Sequence, residues 1–400
     1  MKKTLYIFLC LITLFSFLTC TVFASGNDDS NTNIEADLLP TDALGKDIKA
    51  KAAVLMDMET GTLLFEKNAN QPLEPASVTK SMPLLLISEA IENGTISSEE
   101  KVCVSANAAS MGGSQIYLKE GEEFTVEDLI KCTVIASAND CAIALAEHLC
   151  GSESVFVSQM NKRAVELGMN NTSFENCTGL DDTTDNHKTS AYDIALMSKE
   201  LMKHEQVMKY SCVWQDSIRN GEFTLTNTNR LVRYYKGCTG LKTGSTDKAG
   251  FCVSCTANRE EMHLIAVIMG AESRDERNKE ARMLLDYGFA NYKVYRNSEQ
   301  MVEDIPILFG EKRTTTVYST SFAKIIKKDR ENEIEKIYTI PEKLQAPLAK
   351  GEIIGKIQYK YGDELIGESD IIVNEDIEKT NTFNIFLNII KIILGLSENP

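Results

Sequence analysis

A helical block from Ser97 to about Lys209 stands between two stretches of strand-like sequence, and this order limits the folds open to the chain. The first stretch, "IKAKAAVLMDMETGTLLFEKNA", reads as two β-type runs around the turn "METG". The later one runs from Asp216 to Met269, ends in "HLIAVIMG", and is followed by the helical "RDERNKEARMLLDYGFANY". Strands, an inserted helical block, strands and a closing helix predict an antiparallel sheet with helices packed on it plus a helical lobe, an α+β domain.

Within the block, "TVEDLIKCTVIASANDCAIALAEHLCG" has Thr125 as an expected N-cap, an acidic first turn and Gly151 just past the end. Ser137–Asn139 is expected to break it into two helices. Beyond Val294 the segments "RTTTVYST", "GKIQYKY" and "GESDIIVNE" are alternating or β-branched, so residues 293–378 read as a separate small β domain.

The ends carry their own signals. "MKKTLYIFLCLITLFSFLTCTVFASG" has two lysines, an apolar stretch from about Leu5 to Phe23 and a small-residue exit, the build of a secretory signal over residues 1–25. A membrane anchor is the alternative, disfavoured because no charged stop follows. Residues 26–47 are polar and low in aromatics, which predicts a flexible leader. At the other end, "TFNIFLNIIKIILGLSENP" places Asn384, Asn388, Lys391 and Gly395 in one narrow stripe of a helix over residues 381–397. From Thr382 to Leu396 such a helix spans on the order of 22 Å, too short for a ~30 Å hydrocarbon core, so it is expected to lie in the membrane surface.

A net charge of −16 with scattered basic residues excludes a nucleic-acid-binding role. Of 11 cysteines, Cys10 and Cys20 fall in the signal, and most of the rest sit in or beside apolar segments, as expected of buried free thiols. Cys252 and Cys255 have C-x-x-C spacing, but on a strand residues three apart point to opposite faces, so a zinc or redox role for that pair is not expected.

The chemistry concentrates in "EPASVTKSMPLLL", residues 74–86, where Ser77 and Lys80 stand three apart at the start of an expected buried helix. On a helix such positions share a face. A lysine there without full hydration can lose its proton and activate the serine hydroxyl. Alone, the pair also fits an N-cap serine with a solvated lysine. Two further motifs follow in order: "SAN", Ser137–Ala138–Asn139, in the helical block, and "KTG", Lys242–Thr243–Gly244, in the later strand region. This trio is shared by penicillin-binding proteins and class A β-lactamases.

With "PASVTK", "SANDCAIALAEH", "TGLDD", "TSAYDIALMSKEL", "GLKTGSTDKAGF" and "MGAESRDERNKEARMLLDYGF", the chain resembles the low-molecular-weight penicillin-binding proteins that are serine-type D-alanyl-D-alanine carboxypeptidases. The resemblance covers nearly everything after the leader. It implies a transpeptidase/β-lactamase-like domain over residues 48–292, with its cleft between a sheet-containing lobe and an all-helical lobe, and then a small all-β domain acting as a stalk.

It further implies that Ser77 attacks the carbonyl between the last two D-alanines of a peptidoglycan stem pentapeptide, with Lys80 as its base. Ser137 would relay a proton to the leaving D-alanine, and Asn139 would hold the peptide amide. Lys242 would hold down the pKa of Lys80 and attract the terminal carboxylate, Thr243 would hydrogen-bond that carboxylate, and Gly244 would let the strand come close. The oxyanion hole would be the backbone N–H groups of Ser77 and Ser245. β-Lactam antibiotics would acylate Ser77; no metal or organic cofactor is implied.

There are two departures. Ser245 follows K-T-G where some members have histidine, and Glu272 stands where some have arginine. Arg274 and Arg277 are candidates for that arginine's carboxylate contact but also fit surface positions on the next helix, so both stay outside the expected core site. His187 and His263 carry no motif, and packing or surface roles are expected of them. The competing readings are a β-lactamase, for which "ELGMN" at residues 166–170 is the loose match to a deacylating glutamate, and a catalytically weak wall-binding protein.

Overall fold

The computed structural model describes residues 41–182 and 184–381 together with Phe386, Ile390, Ile393 and Leu394. The expected export signal, most of the leader and most of the terminal helix lie outside the described residues.

The central sheet draws strands from both ends of the catalytic region. β1 (Ala52–Asp57), β2 (Leu63–Lys67), β3 (Cys238–Thr246), β4 (Gly250–Arg259) and β5 (Met262–Ala271) lie in the order β2-β1-β5-β4-β3, antiparallel throughout. β5 reads as an unbroken apolar run because both of its faces are covered. Ile265, Val267 and Met269 enter the core under the helical lobe, whereas Leu264, Ala266 and Ile268 enter a second core on the opposite face. The two-residue period of a strand divides one hydrophobic run between two cores. β1 divides the same way, with Val54 and Met56 on one side and Ala53 and Leu55 on the other.

The second core is closed by α8 (Arg274–Asn291), which is N-capped by Ser273 and buries Ala281, Leu284 and Leu285. Its buried Glu280 accepts from the backbone N–H of Lys49 at 2.6 Å and of Ala50 at 3.2 Å, tying the entry to β1 onto the helix. The segment just before it corrects the expected leader. Thr41–Asp47 forms a helix, α1, whose Leu44 packs on the second core, so order begins before residue 48. The Leu44 carbonyl also accepts from Ile48 N at 3.1 Å, which joins the helix to the segment entering β1.

The helical lobe contains α2 (Ser81–Glu92), α3 (Val126–Ile135), α4 (Asn139–Cys150), α5 (Glu153–Glu166), α6 (Ala191–Leu201) and α7 (Glu205–Ser211). Pro83 falls in the first turn of α2, where its missing N–H costs nothing. The Thr125 hydroxyl caps α3 by accepting from Asp128 N, and Gly151 closes α4 with φ 77°, as the sequence predicts. The helix break at Ser137–Asn139 is also present. The block is not wholly helical, because Lys101–Cys103 pairs with Glu123–Thr125 in a short antiparallel ladder.

Two further sheets follow. β6 (Tyr292–Asn297) pairs with β9 (Phe322–Lys327). β7 (Gln300–Leu308), β8 (Thr314–Ser319), β10 (Ile334–Thr339), β11 (Leu344–Gln345), β12 (Ile353–Tyr361) and β13 (Glu364–Val373) form a six-stranded sheet in the order β10-β12-β13-β8-β7-β11. This sheet has its own core around Val317, Ile357, Tyr359 and Ile371, with Phe322 stacked on Tyr359 at 4.1 Å. The β6–β9 ribbon belongs to both regions: Tyr292 and Ile325 pack into the second core of the preceding domain, and Tyr295 and Phe322 into the β core. Among the described residues, no helix is long and apolar enough to cross a membrane.

Candidate active site

Ser77 and Lys80 meet side by side. They do so on a 3-10 turn, Ala76–Lys80, that precedes α2, rather than on the α-helix itself. Residues three apart eclipse on a 3-10 turn, which suits the pair better than an α-helix would. Lys80 Nζ donates to Ser77 Oγ at 2.8 Å and to the Thr178 carbonyl at 2.8 Å. Ala76, just before the serine, has φ 48°, a region non-glycine residues seldom adopt. The Thr178–Gly179 loop reaches the turn because residue 179 is glycine: a Cβ there would meet the Ala76 carbonyl oxygen at 1.9 Å.

Lys80 is fully buried, and burial pulls its pKa from the ordinary lysine value down to about 7, outweighing the opposing Asp140 carboxylate. Loss of hydration is what the sequence predicts here; the further contribution of Lys242 that the resemblance implies is not among the causes of the shift. The repulsion between the two lysines instead shows on Lys242, whose pKa burial lowers first and Lys80 and Arg277 lower further.

The other two motifs converge on the same point. Ser137 sits in the break between α3 and α4 with φ 61°, and its Oγ accepts from Lys242 Nζ at 2.7 Å. Lys242 lies on β3, the edge strand of the sheet, and also donates to the Thr243 carbonyl at 3.1 Å. Thr243 Oγ1 donates to Thr228 Oγ1 at 2.8 Å. Gly244 is where β3 presses on the 3-10 turn: a Cβ there would lie 2.6 Å from Ser77 N, 2.8 Å from Pro75 O and 2.9 Å from Val78 N. Those contacts are all backbone, so only glycine permits this approach of strand to serine.

Asn139, the first residue of α4, donates through Nδ2 to the Gly112 carbonyl at 2.7 Å, and its buried Oδ1 has no partner among the described residues. Ser77, Ser114, Ser137, Thr228, Arg230, Thr243, Gly244, Ser245, Arg274 and Arg277, with the aromatic Trp214 and Tyr234, line one open cleft of about 600 Å³.

Several supporting residues carry no sequence motif. Asp140 is fully buried and accepts from the backbone N–H groups of Ile116 (3.1 Å) and Leu118 (3.1 Å), fixing the loop that carries Ser114. His187 is buried: its Nδ1 accepts from Glu175 N at 3.0 Å, so Nε2 carries the proton and donates to Thr79 Oγ1 at 2.8 Å. Burial lowers its pKa to about 4, so it stays a neutral packing residue next to Lys80. The only sequence signal for Asp140 was an acid in the first turn of α4; His187 had none.

Arg277 is buried and donates to Asn278 Oδ1 at 3.0 Å; Arg274 is exposed. Neither has an ion-pair partner among the described residues. Burial and the neighbouring Arg274 lower the pKa of Arg277 to about 10. Glu272 is exposed and is not part of the cleft lining. Glu166 is the last residue of α5, paired with Arg163 at 3.3 Å and away from the cleft lining. Cys252 and Cys255 fall into different cores, as the strand period requires. Glu89, Glu200 and His204 each present a possible metal-ligand atom within 4.8 Å of one another, but Arg163 already donates to Glu89 at 2.7 Å and lies 3.6 Å from Glu200, which makes a salt-bridge network.

A serine and a buried lysine on one turn, faced by a second serine–lysine pair across a cleft between sheet and helical lobe, define the penicillin-binding, transpeptidase-like class. The sequence profile for D-alanyl-D-alanine carboxypeptidase (Peptidase_S11) matches residues 39–273, that for the penicillin-binding protein 5 C-terminal domain matches residues 289–379, and the chain belongs to the D-alanyl-D-alanine carboxypeptidase family. It is 40% identical over 354 residues to the D-alanyl-D-alanine carboxypeptidase DacF of Bacillus subtilis, covering 87% of this chain and 90% of that protein. It is 31% identical to DacC of Escherichia coli over 84% of this chain and 86% of that one.

Among solved structures, penicillin-binding protein 5 of Haemophilus influenzae superposes with a TM-score of 0.73 at 30% identity, covering 83% of this chain and 98% of that one. Penicillin-binding protein D2 of Listeria monocytogenes, solved with ampicillin bound, matches 60% of this chain and 97% of its own length at 31% identity and a TM-score of 0.55.

Proposed function

We propose that this D-alanyl-D-alanine carboxypeptidase removes the terminal D-alanine of peptidoglycan stem pentapeptides through an acyl-enzyme on Ser77. The observation that carries the reading is the 2.8 Å contact between Nζ of the buried Lys80 and Ser77 Oγ. A lysine with a pKa of about 7 is neutral for half of the molecules at neutral pH and can accept the serine proton.

The steps follow from the positions of the groups. Ser77 Oγ forms a bond to the carbonyl carbon of the penultimate D-alanine while its proton passes to Lys80 Nζ. The oxygen that gains charge is received by the backbone N–H groups of Ser77 and Ser245, a pairing supported by the close approach of β3 to Ser77 at Gly244. As the C–N bond breaks, its electrons leave with the D-alanine nitrogen, which takes a proton through Ser137, itself held by Lys242 at 2.7 Å. Water then attacks the ester, and Ser77 regains its proton.

Asn139 binds the substrate amide from the helical side. Lys242 and Thr243 bind the terminal carboxylate, and Arg277 and Arg274 add positive charge at that end of the cleft. β-Lactams enter the same cleft and acylate the same oxygen.

The enzyme works outside the cytoplasm, on the outer face of the cytoplasmic membrane, and its terminal helix lies in the membrane surface. Phe386, Ile390, Ile393 and Leu394 support this, since they fall at i, i+4, i+7 and i+8 on one helical face and Phe386, Ile393 and Leu394 are exposed. The carboxypeptidase reading is tested by D-alanine release from a peptide ending in Lys-D-Ala-D-Ala. The expected result is release by residues 26–380 and none by the same chain carrying Ser77→Ala; equal release by both would overturn the assignment of Ser77.

A further inference from the structure

β3 is the edge strand that carries Lys242, Thr243 and Gly244, and β4 is its only strand neighbour among the described residues. Its entry is irregular: the register slips between Cys238 and Gly240, leaving a bulge at Thr239. The bulge brings Cys238 toward Cys255 of β4, and the two Sγ atoms lie 3.8 Å apart. Both side chains face the core beneath α8, where Cys255 is fully buried and Cys238 is half-buried at the margin.

The two thiols are not equivalent. The Cys238 thiol donates to the Gly240 carbonyl at 3.4 Å, which leaves Cys255 as the donor in the S–H···S bond between the two thiols. That bond holds the Cys238 thiol below its usual range, while Cys255 is pushed well above it by the same contact and by burial. A more acidic, accessible thiol beside a buried one is the arrangement of an attacking and a resolving cysteine.

We propose that Cys238 and Cys255 form a dithiol site that small-molecule disulfides oxidise to a cross-strand disulfide, fastening the edge strand of the active site to β4. Cys238 sulfur, as thiolate, attacks one sulfur of R–S–S–R; a Cys238–S–S–R bond forms and R–S⁻ leaves to take up a proton. Cys255 then gives its proton to solvent, and its sulfur attacks the Cys238 sulfur, displacing the second R–S⁻. Two cysteine thiols lose two electrons in total and one R–S–S–R gains them as two R–SH. The sulfurs must close from 3.8 Å to about 2.05 Å, along a diagonal of the ladder in which Cys238 opposes Ala257 and Cys255 opposes Leu241. The strand entry is otherwise held by Ser211 Oγ donating to the Thr239 carbonyl (2.6 Å) and Asn229 Nδ2 donating to the Gly240 carbonyl (2.9 Å).

The experiment treats the folded, reduced chain with oxidised glutathione and maps cysteines by peptide mass spectrometry without reduction. A peptide pair linked through Cys238 and Cys255, reversed by dithiothreitol, is the expected result. If Cys103 and Cys212, the exposed cysteines, carry glutathione while Cys238 and Cys255 remain thiols, the proposal is wrong. Cys255→Ser removes the resolving sulfur, so Cys238 should accumulate as the glutathione adduct; an unmodified Cys238 there would overturn its role as the attacking thiol. The linked protein should retain penicillin acylation to a higher temperature than the reduced protein, and an unchanged temperature would refute the fastening of β3.

Discussion

Burial of Lys80 makes a prediction that joins stability to activity. An ordinary lysine titrates near 10.5 and Lys80 at about 7. A gap of about 3.5 units corresponds to about 5 kcal/mol of preference for the neutral form in the folded state. Below pH 7 both states hold the proton, so folding carries the whole cost. Between pH 7 and 10.5 the unfolded chain holds a proton that the folded chain has released, so stability rises with pH across that window. Lys80→Met keeps most of the stem and removes the charge. At pH 6 the variant should approach or exceed the native chain in stability, and the difference should move by about 4 kcal/mol in favour of the native chain by pH 10.

Urea unfolding at the two pH values reads this difference. The native chain should also show a rate of fluorescent-penicillin acylation that rises about tenfold between pH 6 and pH 8, with its midpoint near 7, and Lys80→Met should not acylate. A flat acylation profile over that range, or a stability difference that does not change with pH, would refute the argument that burial tunes Lys80.

Gly244→Ala places a Cβ 2.6 Å from Ser77 N and should push β3 off the serine. Overpacking of about 1–3 kcal/mol would slow acylation by roughly 5- to 150-fold, while Gly45→Ala, where nothing lies within 4 Å, should leave the rate unchanged. Asp140→Ala strands the N–H groups of Ile116 and Leu118 in a buried loop and should cost about 2–5 kcal/mol in urea unfolding. Removing residues 381–400 should leave D-alanine release intact and abolish co-sedimentation of the processed protein with lipid vesicles; vesicle binding that survives would show that another surface makes the contact.

Much of this protein was legible in one dimension because the decisive features are local. Ser77 and Lys80 are three residues apart, so their meeting depends on one turn. The helix ends at Thr125 and Gly151 and the break at Ser137 are written in caps and φ-tolerant residues. The β-type runs on either side of the helical block declare an antiparallel sheet with helices packed on it. Alternation cannot say what covers each face, however, and the helix at Thr41–Asp47 was missed because its support, the core under α8, comes from residues far along the chain.

What only the tertiary structure decided are the properties that arise between distant segments. Incomplete hydration of Lys80 was expected from the sequence and a contribution from Lys242 was implied by the resemblance; the fold shows that removal of water lowers the Lys80 pKa, and burial is a sum over the whole lobe. Asp140, His187 and the Thr178 carbonyl hold the site through contacts that span 12 to 108 positions. Arg277, ambiguous on its helix, becomes a cleft residue only when α8 is laid on β4 and β5, where its Nη1 donates to the Cys252 carbonyl at 3.4 Å. Side-chain identity and short spacing determined which chemistry the chain carries; desolvation and long-range packing, which no local pattern encodes, determined how that chemistry is tuned.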